Sequence, residues 1–302
     1  MAYPATVIGV DLGGTAMKLG RYPIEGQCQQ ELTVPTPTPS TPSNVRAALV
    51  EAIRQLDPQA EALAIGIGTP GPADAAGRVA RVAINLDGWT EVPLADWLEA
   101  DLQRPVILAN DANCAGLGEV WLGGGRGYRD AILLTLGTGV GGAIVLNGEL
   151  FVGRTGTAAE LGLITLDPAG PHCNSGNQGS LEQYASIGAV QRRFGCDPKD
   201  LGDRASQGGP EAIAAWQDYG RTLAAGLASL VYVLTPEVII LGGGISGSAA
   251  FFLPALTEEL HRRVLPTSRE DLQIAIAALG NEAGRVGAAK LAWDKLQALG
   301  KV

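Results

Sequence analysis

Three short glycine runs mark places where the backbone itself could do chemistry. They are Asp11-Leu12-Gly13-Gly14-Thr15, Gly137-Thr138-Gly139-Val140-Gly141-Gly142 and Gly242-Gly243-Gly244. Successive N–H groups in such a turn form a concave nest that accepts phosphate oxygens without a lysine. The second run also satisfies GxGxxG, the dinucleotide fingerprint, but that fingerprint needs a helix directly after the glycines to seat a pyrophosphate. Here residues 143–146 are a strand, closed by the Asn147-Gly148 turn of a hairpin. The dinucleotide reading is therefore disfavoured, and the absence of GxxxxGK[ST] excludes the P-loop class. Two glycine hairpins facing each other would instead grip a triphosphate from both sides. Asp11 begins the first turn and is placed to hold a hydrated Mg²⁺; Thr15 offers a hydroxyl, and Lys18 is the natural cation nearby. A single Gly-rich turn is usually only a turn. Three of them, each following an apolar run, point to a nucleotide.

The elements that must position these turns alternate between strand and helix. Residues 6–10 and 16–21 read as a hairpin around the first glycines, and residues 31–34 as a third strand. The Pro/Thr/Ser tract over 35–43 reads as a loop, after which Ser43 or Asn44 caps a helix with Val45, Leu49, Ile53 and Leu56 on its apolar face. Strands over 62–67, 79–84 and 105–108 and helices over 94–101 and 114–122 complete an α/β domain. The second half repeats the theme: strands at 131–135, 143–146 and 238–241, and helices over 217–234 and 249–264. The last helix, 287–299, is expected to pack back on the first domain. These elements predict an N-terminal domain over 1–118, completed by 287–302, and a larger domain over 119–286.

Composition narrows the function classes. With 302 residues the chain exceeds the size at which one core keeps growing. Its 46% apolar and 18% charged residues mark a globular protein. A net charge of −9 without a basic stripe disfavours a nucleic-acid partner. No apolar run reaches a membrane span of about 18 residues, and residues 1–4 carry no signal-peptide pattern. The four cysteines form no CxxC pair, which suggests reduced thiols and a cytoplasmic setting.

The three glycine motifs together resemble the two phosphate motifs and the adenosine motif of the actin/hexokinase superfamily. More narrowly, Gly66-Ile67-Gly68-Thr69-Pro70-Gly71-Pro72, Asn85-Leu86-Asp87-Gly88-Trp89 and Asn110-Asp111-Ala112-Asn113 fit the ROK family of bacterial sugar kinases and repressors, in the expected order. The similarity runs from about Val7 to Ala289 and points toward glucokinases. It implies a two-domain actin-like ATPase (ribonuclease H-like) α/β fold with an interdomain cleft, Mg-ATP as donor, a hexose as acceptor, and a homodimer. Asp111 becomes the proton acceptor for the attacking hydroxyl; its competing reading is a helix cap. Asn85, Asn110, Asp111, Glu160 and Glu182 become sugar ligands. Gly13, Gly14, Thr15, Gly137, Thr138, Gly139, Gly141, Gly242, Gly243 and Gly244 become nucleotide ligands, with Lys18 near the first turn. Trp89 is either a cleft-edge or a core residue.

Two departures stand out. The family's ExGH reads Glu160-Leu161-Gly162-Leu163, and its zinc motif CxCGxxGCxE reads Cys173 to Glu182 with Ser175 and Ser180 in place of two cysteines. Of four zinc ligands only Cys173 remains, so no zinc site is expected, and Asn174, Ser175 and Asn177 must hold the loop. Glucose is the favoured acceptor, with fructose, N-acetylglucosamine and N-acetylmannosamine as alternatives and polyphosphate as an alternative donor. A DNA-binding repressor finds no room for its N-terminal module before Asp11. A silent sugar sensor, suggested by Leu163, is opposed by the presence of Asp111.

Overall fold

The computed structural model describes residues 5–83 and 85–302. Residues 1–4 and Ile84, at the end of an expected strand, lie outside the described residues. The elements in chain order begin with β1 (Thr6–Leu12), β2 (Ala16–Pro23), β3 (Gln30–Pro35), α1 (Pro42–Leu56), β4 (Ile65–Thr69), β5 (Ala80–Val82), β6 (Thr90–Val92), α2 (Leu94–Leu102), β7 (Val106–Asn110) and α3 (Asp111–Leu122). There follow β8 (Ala131–Leu136), β9 (Val140–Leu146), β10 (Glu149–Leu150), α4 (Glu182–Ala185), α5 (Ile187–Phe194), α6 (Pro198–Ser206) and α7 (Pro210–Leu234). The chain ends with β11 (Val238–Gly242), α8 (Ala249–Arg263), β12 (Gln273–Ile276) and α9 (Ala283–Ala298). One sheet has the order β3-β2-β1-β4-β7 and a second β10-β9-β8-β11-β12. By its internal contacts the chain divides into two compact units, one of Met1–Gly127, Ala143–Ala159 and Asn281–Val302, the other of Tyr128–Gly142 and Glu160–Gly280.

In the first unit, β1 pairs antiparallel with β2 and parallel with β4, which is parallel to β7. The parallel strands are near-continuous apolar runs because both faces are covered. Ile8, Val10, Ile65, Ile67, Val106 and Leu108 are buried with Val45, Leu49 and Ile53 of α1 and Leu94 and Leu98 of α2. Trp89 belongs to this core, 2% exposed, its indole N–H donating to Ser40 O at 2.8 Å. α9 lies against β1, β4 and α3. The approach of α9 to α3 needs a residue without a side chain: a Cβ on Gly287 would sit 1.6 Å from Cys114 O.

In the second unit β8 and β12 flank β11 in parallel. Trp216 and Tyr219 of α7 and Phe252 of α8 pack edge-on or tilted against one another at centroid distances of 5.3–5.8 Å. Asn147 and Gly148, in the segment Ala143–Ala159 of the first unit, both have positive φ (55° and 84°), as the two-residue hairpin requires.

Three helix starts differ from the sequence expectation. Thr41, not Ser43 or Asn44, caps α1, since Pro42 fills the first helical position where no N–H is needed. α7 begins seven residues early at Pro210, for the same reason. α3 begins at Asp111 instead of residue 114, because the Asn110 side chain accepts from the N–H groups of Ala112 and Asn113. α4 to α6 and the edge strand β12 are additions to the expected elements; α5 and α6 are short amphipathic helices whose few buried residues, such as Leu201 and Ala205 of α6, leave most of each helix polar.

Candidate active site

In the first unit the β1–β2 turn closes through Gly13 N–H donating to Ala16 O at 3.0 Å. Thr36 secures it from β3's far end, its hydroxyl donating to Gly13 O at 2.6 Å and its N–H to Thr15 O at 2.9 Å. The exposed Gly14 lies beside Asn85: a Cβ there would be 3.4 Å from Asn85 Cβ. Asp11 sits at the end of β1, opposite Lys18 across the β1–β2 ladder. The Lys18 ammonium donates to Asn281 O at 3.2 Å. Burial pushes the Asp11 carboxyl above its usual range; Lys18 opposes that shift and Asp111 adds to it.

Asp111 occupies the first position of α3, directly after β7. Asn110 caps the helix, its Oδ1 accepting from Ala112 N–H at 2.9 Å and Asn113 N–H at 3.3 Å. Asp111 Oδ1 accepts from Ala112 N–H at 2.8 Å. Asp111 is open to solvent, yet the chain packed around its carboxyl removes part of its hydration and raises its pKa. The Ala112 N–H and Asn110 pull the other way. The cap of α3 is therefore Asn110 and not Asp111, which stands in the first helical position with its side chain exposed. Cys114, fully buried one turn later, has its thiol pKa pushed up by burial and by both carboxylates.

In the second unit the β8–β9 turn carries Gly137, Thr138 and Gly139, with Gly141 and Gly142 in β9. Gly137 N–H donates to Gly139 O at 3.0 Å, and Gly137 O accepts from Ile187 N–H at the start of α5 at 2.8 Å. Gly242 ends β11, and Gly243, at φ 82°, packs its backbone on β8: a Cβ there would meet Leu136 O at 2.4 Å. The second and third glycine runs are therefore neighbours. Beyond Gly244 opens a cavity of about 440 Å³ lined by Lys199, Asp203, Ser206, Gly244, Ile245 and Phe251 among others. Sequence reasoning missed the α6 side of this cavity. Phe251, seven residues after Gly244 and in the first turn of α8, signalled only the opposite wall.

Glu182 starts α4, and its Oε2 accepts from Val140 N–H at 2.9 Å. One N–H of the second glycine turn is thus committed to a carboxylate. Glu160 is exposed, just before the short 3₁₀ turn Leu161–Leu163. Cys173 Sγ lies 3.9 Å from Glu182 Oε1, and the neighbouring polar groups of Ser175 hold its thiol below the usual range. The donor set around Cys173 does not fit tetrahedral zinc: Leu163 has no lone pair, Ser175 and Ser180 offer protonated hydroxyls, and His172 is exposed. Among the described residues no group of three His, Cys, Asp or Glu could hold a metal.

Paired α/β units, each with a glycine hairpin leading its sheet, are the architecture of the actin-like ATPases, and a solved ROK hexokinase from Thermus thermophilus superposes with a TM-score of 0.86 at 36% identity, covering 97% of this chain and 99% of that one. The ROK family profile matches residues 7–295, and the chain belongs to the ROK family. A ROK family glucokinase from Streptomyces griseus, solved with glucose and AMPPNP, matches at 34% identity and a TM-score of 0.75, over 96% of this chain and all of that one. A glucokinase from Thermotoga maritima is 34% identical over 96% of this chain and 98% of its own length.

Proposed function

We propose that this protein is an ATP-dependent hexose kinase, with glucose the favoured acceptor at its 6-hydroxyl. The observation that carries the reading is Asp111, a solvent-facing carboxylate with a raised pKa, fixed at the start of α3 by Asn110 and electrostatically coupled to Asp11. Such a group takes the proton of a sugar hydroxyl as the oxygen attacks the γ-phosphorus in line; the bond to the bridging oxygen breaks and ADP leaves. Asn85, beside the first glycine turn, and Asn110, through its amide N–H groups, hydrogen-bond sugar hydroxyls. Glu160 and Glu182 act as further acceptors.

The donor is held by backbone. Gly13, Gly14 and Thr15 offer N–H groups and a hydroxyl on the first unit; Gly137, Thr138, Gly139 and Gly141 do so on the second. The adenosine enters the cavity beside Gly242, Gly243 and Gly244. Its mixed lining of Phe251, Ile245, Lys199 and Asp203 suits a flat, polar-edged base. Asp11, opposite Lys18 across the β1–β2 ladder, is the residue fit to hold a hydrated Mg²⁺, since its carboxylate only accepts hydrogen bonds and can face the ion's water shell.

 A metal ion held there would supply neutralisation of the charge on the phosphoryl donor. We further place the protein in the cytoplasm as a homodimer. A coupled assay of ADP release over a panel of hexoses and N-acylated amino sugars tests the reading: glucose should give the highest kcat/KM. Turnover confined to an amino sugar would move the acceptor within the class, and no sugar-dependent ADP release would refute the kinase.

A further inference from the structure

The stretch from Leu163 to Glu182 contains no long helix or strand, yet it is closely tied. Leu166 and Asp167 N–H donate to Gly179 O, Gly179 N–H to Pro171 O at 2.7 Å, and Leu181 N–H to Ile164 O at 2.9 Å. Isolated bridges join Thr165 to Ser180 and His172 to Gln178. One side chain connects the parts. Asn177 Nδ2 donates to Leu163 O at 2.8 Å and to Thr165 Oγ1 at 3.1 Å. Its Oδ1 accepts from Gln178 N–H at 2.8 Å, and its backbone O from Cys173 N–H at 2.8 Å. Both ends of the carboxamide and the residue's own carbonyl are thus engaged with three parts of the loop. The loop then delivers Glu182, whose carboxylate holds Val140 N–H of the second glycine turn.

We propose that the Asn177 side-chain amide is the clasp of this loop, doing by hydrogen bonds what a bound zinc would do with four ligands, and that through Glu182 it holds the second glycine turn in shape. The role of Glu182 toward sugar rests on the kinase reading; the clasp itself does not. Asn177 is a positioning residue, since it reaches substrate only through Glu182. The amide suits the task because it donates and accepts at once from a rigid plane. An aspartate of the same shape would lose both donors and set an oxygen against the Leu163 carbonyl.

The test uses the full chain with Asn177→Ala and Asn177→Asp, read by amide exchange, metal content and kinetics. Both variants should lose about tenfold protection at Gly179, Leu181 and Val140, as expected when two half-buried hydrogen bonds go, while β11 keeps its protection. The KM for glucose should rise about tenfold with kcat altered less than about threefold. Combining Leu163→His, Ser175→Cys and Ser180→Cys with the resident Cys173 supplies four zinc ligands. In that background one zinc per chain should bind and restore protection to Asn177→Ala, including a chain that fails to fold without it. Unchanged protection at Gly179 and Val140 in both variants overturns the proposal. So does stoichiometric zinc in the unmodified chain, or failure of the zinc-binding background to rescue Asn177→Ala. Exchange and metal content are read without substrate, so a failed kinase reading would leave them standing.

Discussion

Burial raises the pKa of both the Asp11 and the Asp111 carboxyl, and the charge of Asp111 adds to the shift at Asp11. A raised folded-state pKa means that the proton is held to higher pH than in a free carboxylate. As pH falls, the base form of Asp111 is therefore lost earlier than an ordinary aspartate would lose it. The acid limb of kcat/KM against pH should have its midpoint above 3.8, the ordinary value. A limb at or below that value would mean that another group controls the proton. The sign for stability is the opposite of that for activity. The folded state binds these protons more tightly than the unfolded chain, so both charges cost stability at neutral pH, and that cost is relieved on acidification through the raised pKa. Asn110 belongs to the same cluster: Asn110→Ala removes the α3 cap, which costs about 0.5–2 kcal/mol by thermal or urea unfolding.

At the scale of elements, the fit of α9 against α3 decides where Asp111 is presented. Gly287→Ala would drive a methyl into Cys114 O, and overpacking of that kind costs about 1–3 kcal/mol or more. A fall in the unfolding midpoint, accompanied by loss of activity, is the expected result; an unchanged midpoint would show that the two helices can separate at no cost. Elements with a strong period were legible in the sequence. The buried strands β1, β4, β8 and β11 and the amphipathic α1 fall where the apolar runs place them. Helix starts were read less well, because prolines at 42 and 210 and the Asn110 side chain set them, and these act one residue at a time. The glycine turns were legible as turns. Their neighbours were not: that Gly243 packs on Leu136, or that Glu182 takes the Val140 N–H, depends on contacts far apart in sequence. The α6 wall of the cavity was illegible because its lining residues, Lys199, Asp203 and Ser206, lie on the polar face of an amphipathic helix, and such a face reads as solvated.

For the molecule as a whole, the two units divide the proposed work. The first carries Asp11, Asn85 and Asp111; the second carries the cavity beside the third glycine run. Blocking that cavity should therefore separate the two ligands. Ser206→Trp, which fills it from α6, should raise the KM for ATP about tenfold or more, equivalent to about 1.4 kcal/mol, while glucose affinity by calorimetry is retained. An unaltered KM for ATP would place the adenosine elsewhere. Retained ATP binding with lost glucose binding would reverse the assignment.

The central claim, that this chain transfers a phosphoryl group to a sugar hydroxyl whose proton goes to Asp111, is met most directly by one side-by-side measurement. Glucose 6-phosphate formation from Mg-ATP is followed for the unmodified chain and for Asp111→Asn, with glucose binding to each read by calorimetry. The account predicts product from the unmodified chain, a rate lower by about 10²–10⁴-fold in the variant, and glucose binding retained in both. A variant that turns over at nearly the unmodified rate would contradict it.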